Sequence, residues 1–188
     1  MESALIISHA EKSTDYFREV LKTAQIPHIV SIHSCGEARR ILLERDFDLI
    51  IVNAPLQDET GENLSRHVAT KGFSQIILAV SAEHYDAVSS HCEQSGVITL
   101  SKPINKTILW SAIKLAKATQ SKLLRMQNET NKLKQQIEDM RVVDRAKYIL
   151  IATLNMSEQE AHSYIEKQAM DMRMSKRMIA ERILRTYA

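Results

Sequence analysis

The run Leu49-Ile50-Ile51-Val52, which leads directly into Asn53, decides the fold of the first half of the chain. Four consecutive apolar residues, three of them β-branched, are typical of a strand that is buried on both faces. Four further runs of this kind occur in the first half, at residues 4–8, 27–31, 75–80 and 97–100. Together these runs predict a parallel sheet that helices cover on both sides.

Stretches with helical spacing of apolar residues separate the strand-like runs. They span residues 11–24, 37–45, 61–71 and 83–94. Five alternating strands and helices within about 100 residues predict a flavodoxin-like (βα)5 domain of the α/β class. We place this domain at residues 1–118.

The pattern changes after Pro103, because no Gly or Pro interrupts the chain from Ile104 to Leu154. Small and apolar residues recur there at alternating steps of four and three: Ala112, Ala116, Thr119, Leu123, Met126, Thr130, Leu133, Ile137 and Met140. A 3.5-residue repeat winds helices into a left-handed coiled coil. We therefore predict a coiled-coil linker helix over residues 112–141, with homodimerisation through the repeat from Ala116 onward.

An alternative for this helix is that its stripe packs on the sheet of its own domain. That alternative accounts for the first turns, to about Ala118. Beyond them, a helix of roughly 30 residues that rises about 1.5 Å per residue is too long for five short strands to cover. The two threonines of the repeat weaken the predicted dimer seam.

The last third of the chain predicts an all-α unit of three helices. The long helix supplies the first of them. Ser157 and Glu160 have the spacing of a capping box, which opens the second. Ser175 is a second N-cap candidate, and it precedes a helix with Ile179 and Ile183 on one side.

The composition is that of a globular chain with an uneven charge distribution: 44% of the 188 residues are hydrophobic and 26% are charged. Residues 1–102 contain 9 Lys and Arg against 14 Asp and Glu, whereas residues 103–188 contain 16 against 9, a net charge of +7. A basic half favours a polyanionic partner. There is no signal-peptide pattern and no apolar run of about 20 residues, so we expect a cytoplasmic protein with no membrane contact and two reduced cysteines, Cys35 and Cys92.

Polar residues at the predicted strand ends give the first half a specific resemblance. Ser8 and His9 follow the first strand, and Asn53 ends the third. Ser81 ends the fourth strand, and Lys102 with Pro103 follows the fifth. At these positions the first half resembles a response-regulator receiver domain. The resemblance implies that Ser8 and His9 replace two acidic Mg²⁺ ligands and that Asn53 replaces the phosphoacceptor Asp. The hydroxyl and the Lys of such a pocket remain as Ser81 and Lys102.

These replacements change the chemistry of the pocket. Formation of an aspartyl phosphate needs a carboxylate nucleophile and a divalent cation on oxygen ligands. The amide of Asn53 is uncharged and a poor nucleophile, and Ser8 with His9 cannot replace two carboxylates. We therefore predict a pseudo-receiver that is not phosphorylated and holds no metal. Lys102 either pairs with a phosphoryl group or, as we favour, donates hydrogen bonds to Asn53 or to backbone carbonyls.

A second resemblance rests on two blocks in the last third. They are Val143-Asp144-Arg145-Ala146-Lys147-x-Ile149-Leu150 and Leu154-x-Met156-Ser157-Glu158-x-Glu160-Ala161, followed by Tyr164, Gln168-Ala169-Met170 and Ala180. With this spacing, residues 130–188 resemble the ANTAR module of transcription antitermination regulators of the AmiR and NasR kind. Tyr148 departs from the pattern, because family members usually carry a small residue there, often Gly. Met156 stands where Leu is usual.

The second resemblance implies binding to RNA hairpin loops in nascent leader transcripts, which prevents formation of a terminator. The RNA-binding candidates are basic or aromatic: Arg141, Arg145, Lys147, Tyr148, Lys167, Arg173, Lys176, Arg177 and Arg182. The alternative to RNA contact is, for each basic residue, a side chain that is only solvated. For Asp144 and Arg145, a further alternative is that they cap a helix or form a pair within the bundle. Tyr164 fits either a stacking surface or the core.

The sequence as a whole is interpreted as a dimeric RNA-binding antiterminator whose pseudo-receiver is controlled by a sensor or inhibitor protein. The alternatives are a DNA-binding response regulator and a protein-interaction module in which the coiled coil only dimerises. We find no nucleophile–base pairing, metal-ligand spacing or Gly-rich phosphate loop in the sequence. We therefore expect no enzymatic activity, catalytic residues or cofactor.

Overall fold

The computed structural model describes residues 1–72 and 74–187, and the chain divides into two compact units. The first unit runs from Met1 to Leu124, and the second begins at Arg125. A five-stranded sheet forms the centre of the first unit: β1 (Ser3–Ile7), β2 (His28–Ile32), β3 (Leu49–Asn53), β4 (Gln75–Ser81) and β5 (Ile98–Lys102). All neighbouring strands are parallel, in the order β2-β1-β3-β4-β5. The predicted flavodoxin-like (βα)5 fold is confirmed.

The helices of the chain alternate with the strands and then continue alone: α1 (Glu11–Thr23), α2 (Cys35–Glu44), α3 (Glu62–Lys71), α4 (Tyr85–Glu93), α5 (Lys106–Leu154), α6 (Glu158–Met172) and α7 (Lys176–Tyr187). Helix α2 begins at Cys35, two residues earlier than predicted. Its first turn is capped twice. The Ser34 side chain accepts a hydrogen bond from the Glu37 backbone N–H, and Asp58 accepts from those of Cys35 and Gly36. Helix α4 begins two residues late because one 3₁₀ turn, Ala82–His84, precedes it.

The strands separate two apolar cores because their side chains alternate between the faces of the sheet. On β1, Ala4 and Ile6 belong to the core beneath α1 and α5. Their neighbours Leu5 and Ile7 belong to the core beneath α2, α3 and α4. Because the strands are buried on both faces, their sequences are unbroken apolar runs and not alternating apolar and polar residues.

Helix α5 has two kinds of surface along its 49 residues. Its first turns pack on the sheet through Leu109, Ala112, Ile113 and Ala116. The prediction that Ala116 belongs to a dimer seam is therefore wrong, since its side chain is fully buried in the core of its own unit. The packing alternative, predicted to hold to about Ala118, describes this part of the helix.

From Thr119 onward the repeat of α5 faces solvent in the single chain. The apolar members of this stretch are all exposed: Leu123, Met126, Leu133, Ile137 and Met140. Thr119 and Thr130 are exposed with them, and the Thr130 hydroxyl donates to the Met126 carbonyl within the helix. We call this set, from Thr119 to Met140, the exposed stripe.

The second unit is the predicted three-helix bundle, made by the end of α5 with α6 and α7. Its core holds Ala146 and Leu150 from α5, Ala161 and Ile165 from α6, and Ile179 from α7, among others. The capping box at the start of α6 is present, with Ser157 and Glu160 each accepting from the other's backbone N–H. No helix formed by the described residues has the length and apolarity needed to cross a membrane.

Candidate functional site

The predicted pocket lies where the parallel strands of the first unit end. Ser8 follows β1, Asn53 ends β3, Ser81 ends β4 and Lys102 ends β5. Ser81 and Lys102 are register partners on neighbouring strands. The carboxyl edge of a parallel α/β sheet is where such folds bind ligands. The topology thus brings four of the five predicted pocket residues to this edge.

Asn53 and Ser8 form a buried hydrogen-bonded pair at the centre of the pocket. Asn53 is 4% exposed and Ser8 is fully buried. The Asn53 amide Nδ2 donates to Ser8 Oγ over 3.0 Å, and Ser8 Oγ donates to the Ala10 carbonyl over 3.3 Å. Two of the three side chains predicted to replace carboxylates therefore bond to each other. His9 is exposed, and its side chain makes no hydrogen bond to any described residue.

Lys102 lines the same cavity as Asn53 but makes no hydrogen bond to it. Its Nζ donates to the backbone carbonyl of Ala54, directly after Asn53 in the chain. The hydrogen bond to a backbone carbonyl agrees with the second of the two predicted arrangements. Burial lowers the pKa of the Lys102 ammonium from its ordinary value. Ser81 turns away, and its hydroxyl bonds to His84 Nδ1 over 2.8 Å.

The acidic residues closest in sequence to Asn53 are engaged outside the pocket. Asp58 accepts hydrogen bonds from the backbone N–H groups of Cys35 and Gly36, at 3.0 and 2.9 Å. Burial opposes ionisation of Asp58, but these hydrogen bonds outweigh it and lower the pKa of its carboxyl group. Glu59 forms an ion pair with Arg39 at 2.5 Å. Both carboxylates thus stabilise helix α2 and its surroundings.

Within the described residues, the one group of metal-ligating side chains is formed by Cys35, Asp58 and Glu59. Its members do not suit a cation. Burial, followed by the nearby carboxylates, raises the pKa of the Cys35 thiol to about 11, so the thiol stays protonated at neutral pH. Both carboxylates already have the partners named above.

Several RNA-binding candidates in the second unit are engaged in ion pairs. Lys147 contacts Asp144 at 2.9 Å and Glu158 at 3.5 Å, and its side chain is only 17% exposed. The hydrogen bond to Asp144 raises the pKa of Lys147. Lys176 pairs with Glu166.

Arg177 is the most strongly engaged of the candidates. It contacts Asp139 of α5 at 2.6 Å and Glu181 of its own helix at 2.9 Å. Its hydrogen bond holds the pKa of the Asp139 carboxyl below its usual value. Arg177 thus connects α7 to α5, which is a structural role within the bundle.

Other candidates are free for an external ligand. Arg145, Lys167 and Arg173 are exposed, and none of them has an ion-pair partner in the described part of the chain. Arg141 has only a 3.7 Å contact to Glu138, and Arg182 lies against the sulfurs of two methionines. The alternative that Arg145 pairs within the bundle is not observed.

Tyr148 is the most exposed aromatic side chain of those described, at 74%. It follows Arg141 and Arg145 at steps of four and three, so the three share one face of α5. Tyr164 is 38% exposed, at the margin between core and surface. Two basic residues beside an aromatic ring offer both a charge and a stacking plane to a nucleic acid.

The sequence-based prediction of the pocket missed Lys12, Ser13, Tyr16 and Ile104. These residues line a cavity that also reaches Asn53 and Lys102. One signal was available, since Lys12 and Ser13 lie in the first turn of the helix that follows β1. Residues in that turn necessarily border the carboxyl edge of the sheet.

Comparison with known families identifies the second unit. The model of the ANTAR domain matches residues 131–184. A relative, the transcriptional regulatory protein PdtaR of Mycobacterium tuberculosis, is 27% identical over 139 residues. The alignment covers 74% of this chain and 68% of the relative. The ANTAR resemblance is thereby confirmed.

Comparison with solved structures identifies the fold of the first unit. A two-component response regulator from Clostridium difficile superimposes with a TM-score of 0.55 at 23% identity, over 63% of this chain and 97% of that one. A CheY-like response regulator receiver domain from Methylobacillus flagellatus gives a TM-score of 0.53 at 17% identity, over 62% and 98% of the two chains. At these identities the likeness shows the receiver fold.

Proposed function

We propose that this chain, which carries an ANTAR domain behind a domain with the receiver fold, is a transcription antitermination regulator that binds RNA hairpins in leader transcripts as a homodimer. The observation that carries the proposal is the match of residues 131–184 to the ANTAR domain, within the part of the chain that has a net charge of +7. Transcriptional regulation is also the role in the name of the relative PdtaR.

The free basic residues of the second unit support RNA as the ligand. Arg145, Lys167 and Arg173 are exposed and unpaired within the described chain, so they can neutralise phosphates without first breaking an ion pair. Proteins that read RNA by sequence contact mainly unpaired loop bases, which stack on aromatic or guanidinium planes. The face of α5 with Arg145 and Tyr148 offers both kinds of plane.

The exposed stripe supports dimerisation. Leu133, Ile137 and Met140 are each more than half exposed in the single chain. Large apolar side chains at successive seam positions of a 3.5-residue repeat are buried when a second helix of the same kind lies alongside. A second copy of this chain provides such a helix.

We further propose that a sensor or inhibitor protein controls the chain by binding the first unit. The pocket lacks carboxylates, and its two central side chains bond to each other, so the usual covalent signal has no acceptor. A partner can still shift the protein between states if it binds one of them more tightly. The acidic first half, with 14 Asp and Glu, would favour a basic partner surface.

The test of RNA binding is a filter-binding titration of the full chain against a double-hairpin leader RNA in a series of salt concentrations. We expect the affinity to fall linearly with salt on logarithmic axes, with a slope of about −0.7 to −0.9 per phosphate contacted. Duplex DNA of the same sequence is the control ligand. Binding without salt dependence, or equal binding to the duplex DNA, would contradict the proposal.

A matched pair of charge variants locates the binding surface. The first removes three free charges from the second unit, Arg145→Gln, Lys167→Gln and Arg173→Gln. The second removes three exposed charges from the first unit, Lys22→Gln, Arg40→Gln and Lys71→Gln. We expect the first variant to weaken RNA binding and to reduce the salt slope, and the second to leave both unchanged. Equal effects of the two variants would contradict the placement of the RNA-binding surface on the second unit, and a first variant that keeps full regulatory function would favour the protein-interaction alternative.

A further inference from the structure

Methionine is concentrated around the turn that joins α6 to α7 in the second unit. Four of the eight methionines of the chain lie there, in the arrangement Met170-x-Met172-x-Met174-x-x-x-Met178. Met170, Met172 and Met178 are exposed, at 79%, 48% and 46%, whereas Met174 is half-buried against the core of the bundle. Core packing accounts for a buried methionine, but it does not account for three that lie in solvent.

The backbone of the turn holds two of these side chains close together. Arg173, the C-cap of α6, has a left-handed conformation with φ of +52°, and its N–H donates to the Met170 carbonyl over 3.2 Å. The Met174 N–H donates to the Ala169 carbonyl over 3.0 Å, so the chain turns back on the helix end. Met172 is the last residue of α6, and Met174 follows it after this single left-handed residue.

The sulfurs of Met172 and Met174 converge on one cationic group. An Arg182 Nη1–H of α7 donates to both of them, over 3.1 Å to Met172 Sδ and over 3.8 Å to Met174 Sδ. A thioether is a weak hydrogen-bond acceptor, so these contacts hold the guanidinium only weakly. Arg182 is exposed and has no ion-pair partner in the described part of the chain, so it can move away without breaking a salt bridge.

Helix geometry separates the four methionines into one that lies apart and three that can act together. Met170 and Met172 are two residues apart in α6, which places them on opposite sides of that helix. Met178 precedes Arg182 by one turn on α7, and helical side chains lean toward the N-terminus of their helix. Met178 is therefore on the face of α7 that Arg182 covers, with Met172 and Met174 on the other side of the guanidinium.

Thioether sulfur is a soft ligand, and this property decides which cation suits the turn. Thioethers select Cu(I), whereas Mg²⁺ and Ca²⁺ prefer oxygen, and Zn²⁺ prefers thiolate, imidazole or carboxylate. A thioether also has no proton to lose before it binds a metal. It differs in this respect from the thiol of the Cys35 group, which stays protonated at neutral pH.

We propose that Met172 and Met174 bind Cu(I), that the ion takes the place of the Arg182 guanidinium between the two sulfurs, and that Met178 supplies a third thioether. The exchange replaces two weak N–H···S contacts by bonds between a soft metal and soft ligands. The displaced guanidinium moves into solvent, where its charge is hydrated. The site depends neither on the proposed RNA binding nor on the proposed dimer.

The test is a titration of the full chain with Ag(I), a soft monovalent ion that stays in one oxidation state, followed through ¹³C-labelled methionine methyl groups. We expect saturable shifts at Met172 and Met174. We expect none at Met170, which is the most exposed methionine of the turn, or at Met156, which lies at the other end of α6. Shifts that follow exposure, with Met170 the largest, or shifts that do not saturate, would overturn the site.

Two further titrations identify the class of ion. Cu(I), kept reduced and supplied with a competing chelator, should displace Ag(I) and shift the same methyl groups. Zn²⁺, which has a higher charge but prefers other ligands, should leave them unchanged. Failure of Cu(I) to displace Ag(I), or equal shifts with Zn²⁺, would overturn the proposal.

Leucine variants test the thioethers, because leucine keeps the apolar volume and removes the sulfur. Met172→Leu and Met174→Leu should each weaken Ag(I) binding by about tenfold or more. Met156→Leu, which also replaces a half-buried methionine of the second unit, is the matched control and should leave the affinity unchanged. Thermal melting shows that each variant is folded. Unaltered affinity in folded Met172→Leu and Met174→Leu proteins would overturn the site.

Arginine variants test the displacement. Arg182→Gln should tighten Ag(I) binding by about fivefold, because it removes a charge that competes for the sulfurs and repels the ion at about 4 Å. Arg185→Gln removes an equal charge from α7, but Arg185 makes no hydrogen bond to either sulfur in the described chain, and the affinity should stay nearly unchanged. Equal effects of the two variants, or weaker binding in Arg182→Gln, would overturn the exchange of the guanidinium for the metal.

Discussion

Asn53 shows how one residue type sets the chemistry at a strand end of the receiver fold. The end of β3 places its side chain in the pocket, but an amide there is neutral and both donates and accepts hydrogen bonds. It donates to Ser8, which itself occupies a position where the receiver pattern has an acid. Neither side chain can serve as a nucleophile toward phosphorus or as part of a carboxylate cage for Mg²⁺.

The first prediction concerns this pocket. After incubation of the protein with acetyl phosphate and Mg²⁺, intact-mass measurement should show no added phosphoryl group, which would weigh about 80 Da. The Asn53→Asp variant should also stay unmodified, because Ser8 and His9 still provide no carboxylate ligand for the metal. A receiver domain with a complete acidic pocket serves as the positive control. A stable adduct on the unaltered chain would refute the assignment as a pseudo-receiver.

Gly61 is a residue whose role comes from backbone geometry. It is the N-cap of α3 with φ of +84°, and a Cβ at this position would lie 2.7 Å from Val52 Cγ1 on β3. Both the left-handed backbone conformation and the close contact with Val52 disfavour any residue with a Cβ atom at position 61.

We predict that Gly61→Ala lowers the free energy of unfolding by about 2–4 kcal/mol, from backbone strain together with overpacking against Val52. Gly96→Ala is the matched control. Gly96 also has a positive φ, of +76°, but open space surrounds its Cβ position. Gly96→Ala should therefore lower the free energy of unfolding through backbone strain alone, by about 1–2 kcal/mol. Urea unfolding measures both variants, and equal losses would mean that the Val52 contact does not matter.

At the scale of elements, helix α5 passes through three different surroundings in succession. Its first turns complete one core of the sheet through Leu109, Ile113 and Ala116. Further along, its exposed stripe has no cover in the single chain, and its last turns enter the core of the three-helix bundle through Ala146 and Leu150. Successive stretches of one helix thus lie in three environments, only one of which is open to a partner helix.

We predict that Leu133→Asn weakens the homodimer by about tenfold or more, because a seam leucine is lost from both helices. Leu124→Asn is the matched control. Leu124 is an exposed leucine on the same helix, at 45% against 60% for Leu133, but it lies off the repeat. Sedimentation equilibrium over a range of protein concentrations compares the two. If both variants dissociate equally, or neither does, the exposed stripe is not the interface.

At the scale of the whole molecule, the chain consists of two units, each with an apolar core of its own. The first has two cores separated by the sheet, and the second has one core between three helices. Units with separate cores can unfold separately, so a single midpoint need not describe the chain. The charge distribution divides elsewhere: residues 1–124 contain 13 Lys and Arg against 14 Asp and Glu, and residues 125–188 contain 12 against 9, because four of the lysines after Pro103 belong to the first unit.

We predict two thermal transitions that respond to different substitutions. Ser157→Ala removes the capping box of α6 and should cost about 1 kcal/mol, which lowers the midpoint of the second unit by about 4–8 °C. Gly61→Ala should lower only the midpoint of the first unit. Differential scanning calorimetry of the full chain resolves the two. A single transition that shifts with either substitution would show that the units unfold together.

Most of the fold was predictable because its signals are local in the chain. Unbroken apolar runs specify strands covered on both faces, and Ser157 with Glu160 specifies the start of a helix within four residues. The absence of a carboxylate at Ser8 and Asn53 is also readable, since strand ends fix their place. The start of α2 at Cys35 had a local signal that the prediction missed, because Ser34 and Glu37 have the same spacing as Ser157 and Glu160; the second cap, from Asp58 more than 20 residues away, had none.

The sequence by itself determined the strands, the helices, the missing carboxylates and the repeat of α5. The tertiary structure alone decided that Ala116 is core rather than seam, that Lys102 bonds to the Ala54 carbonyl, and that Arg177 is engaged by Asp139 while Arg145 stays free. The physical reason is the separation along the chain over which each kind of interaction acts. Backbone propensities act between residues close in the chain, whereas the partner of a charged or packed side chain depends on which distant segments the fold brings within a few ångströms.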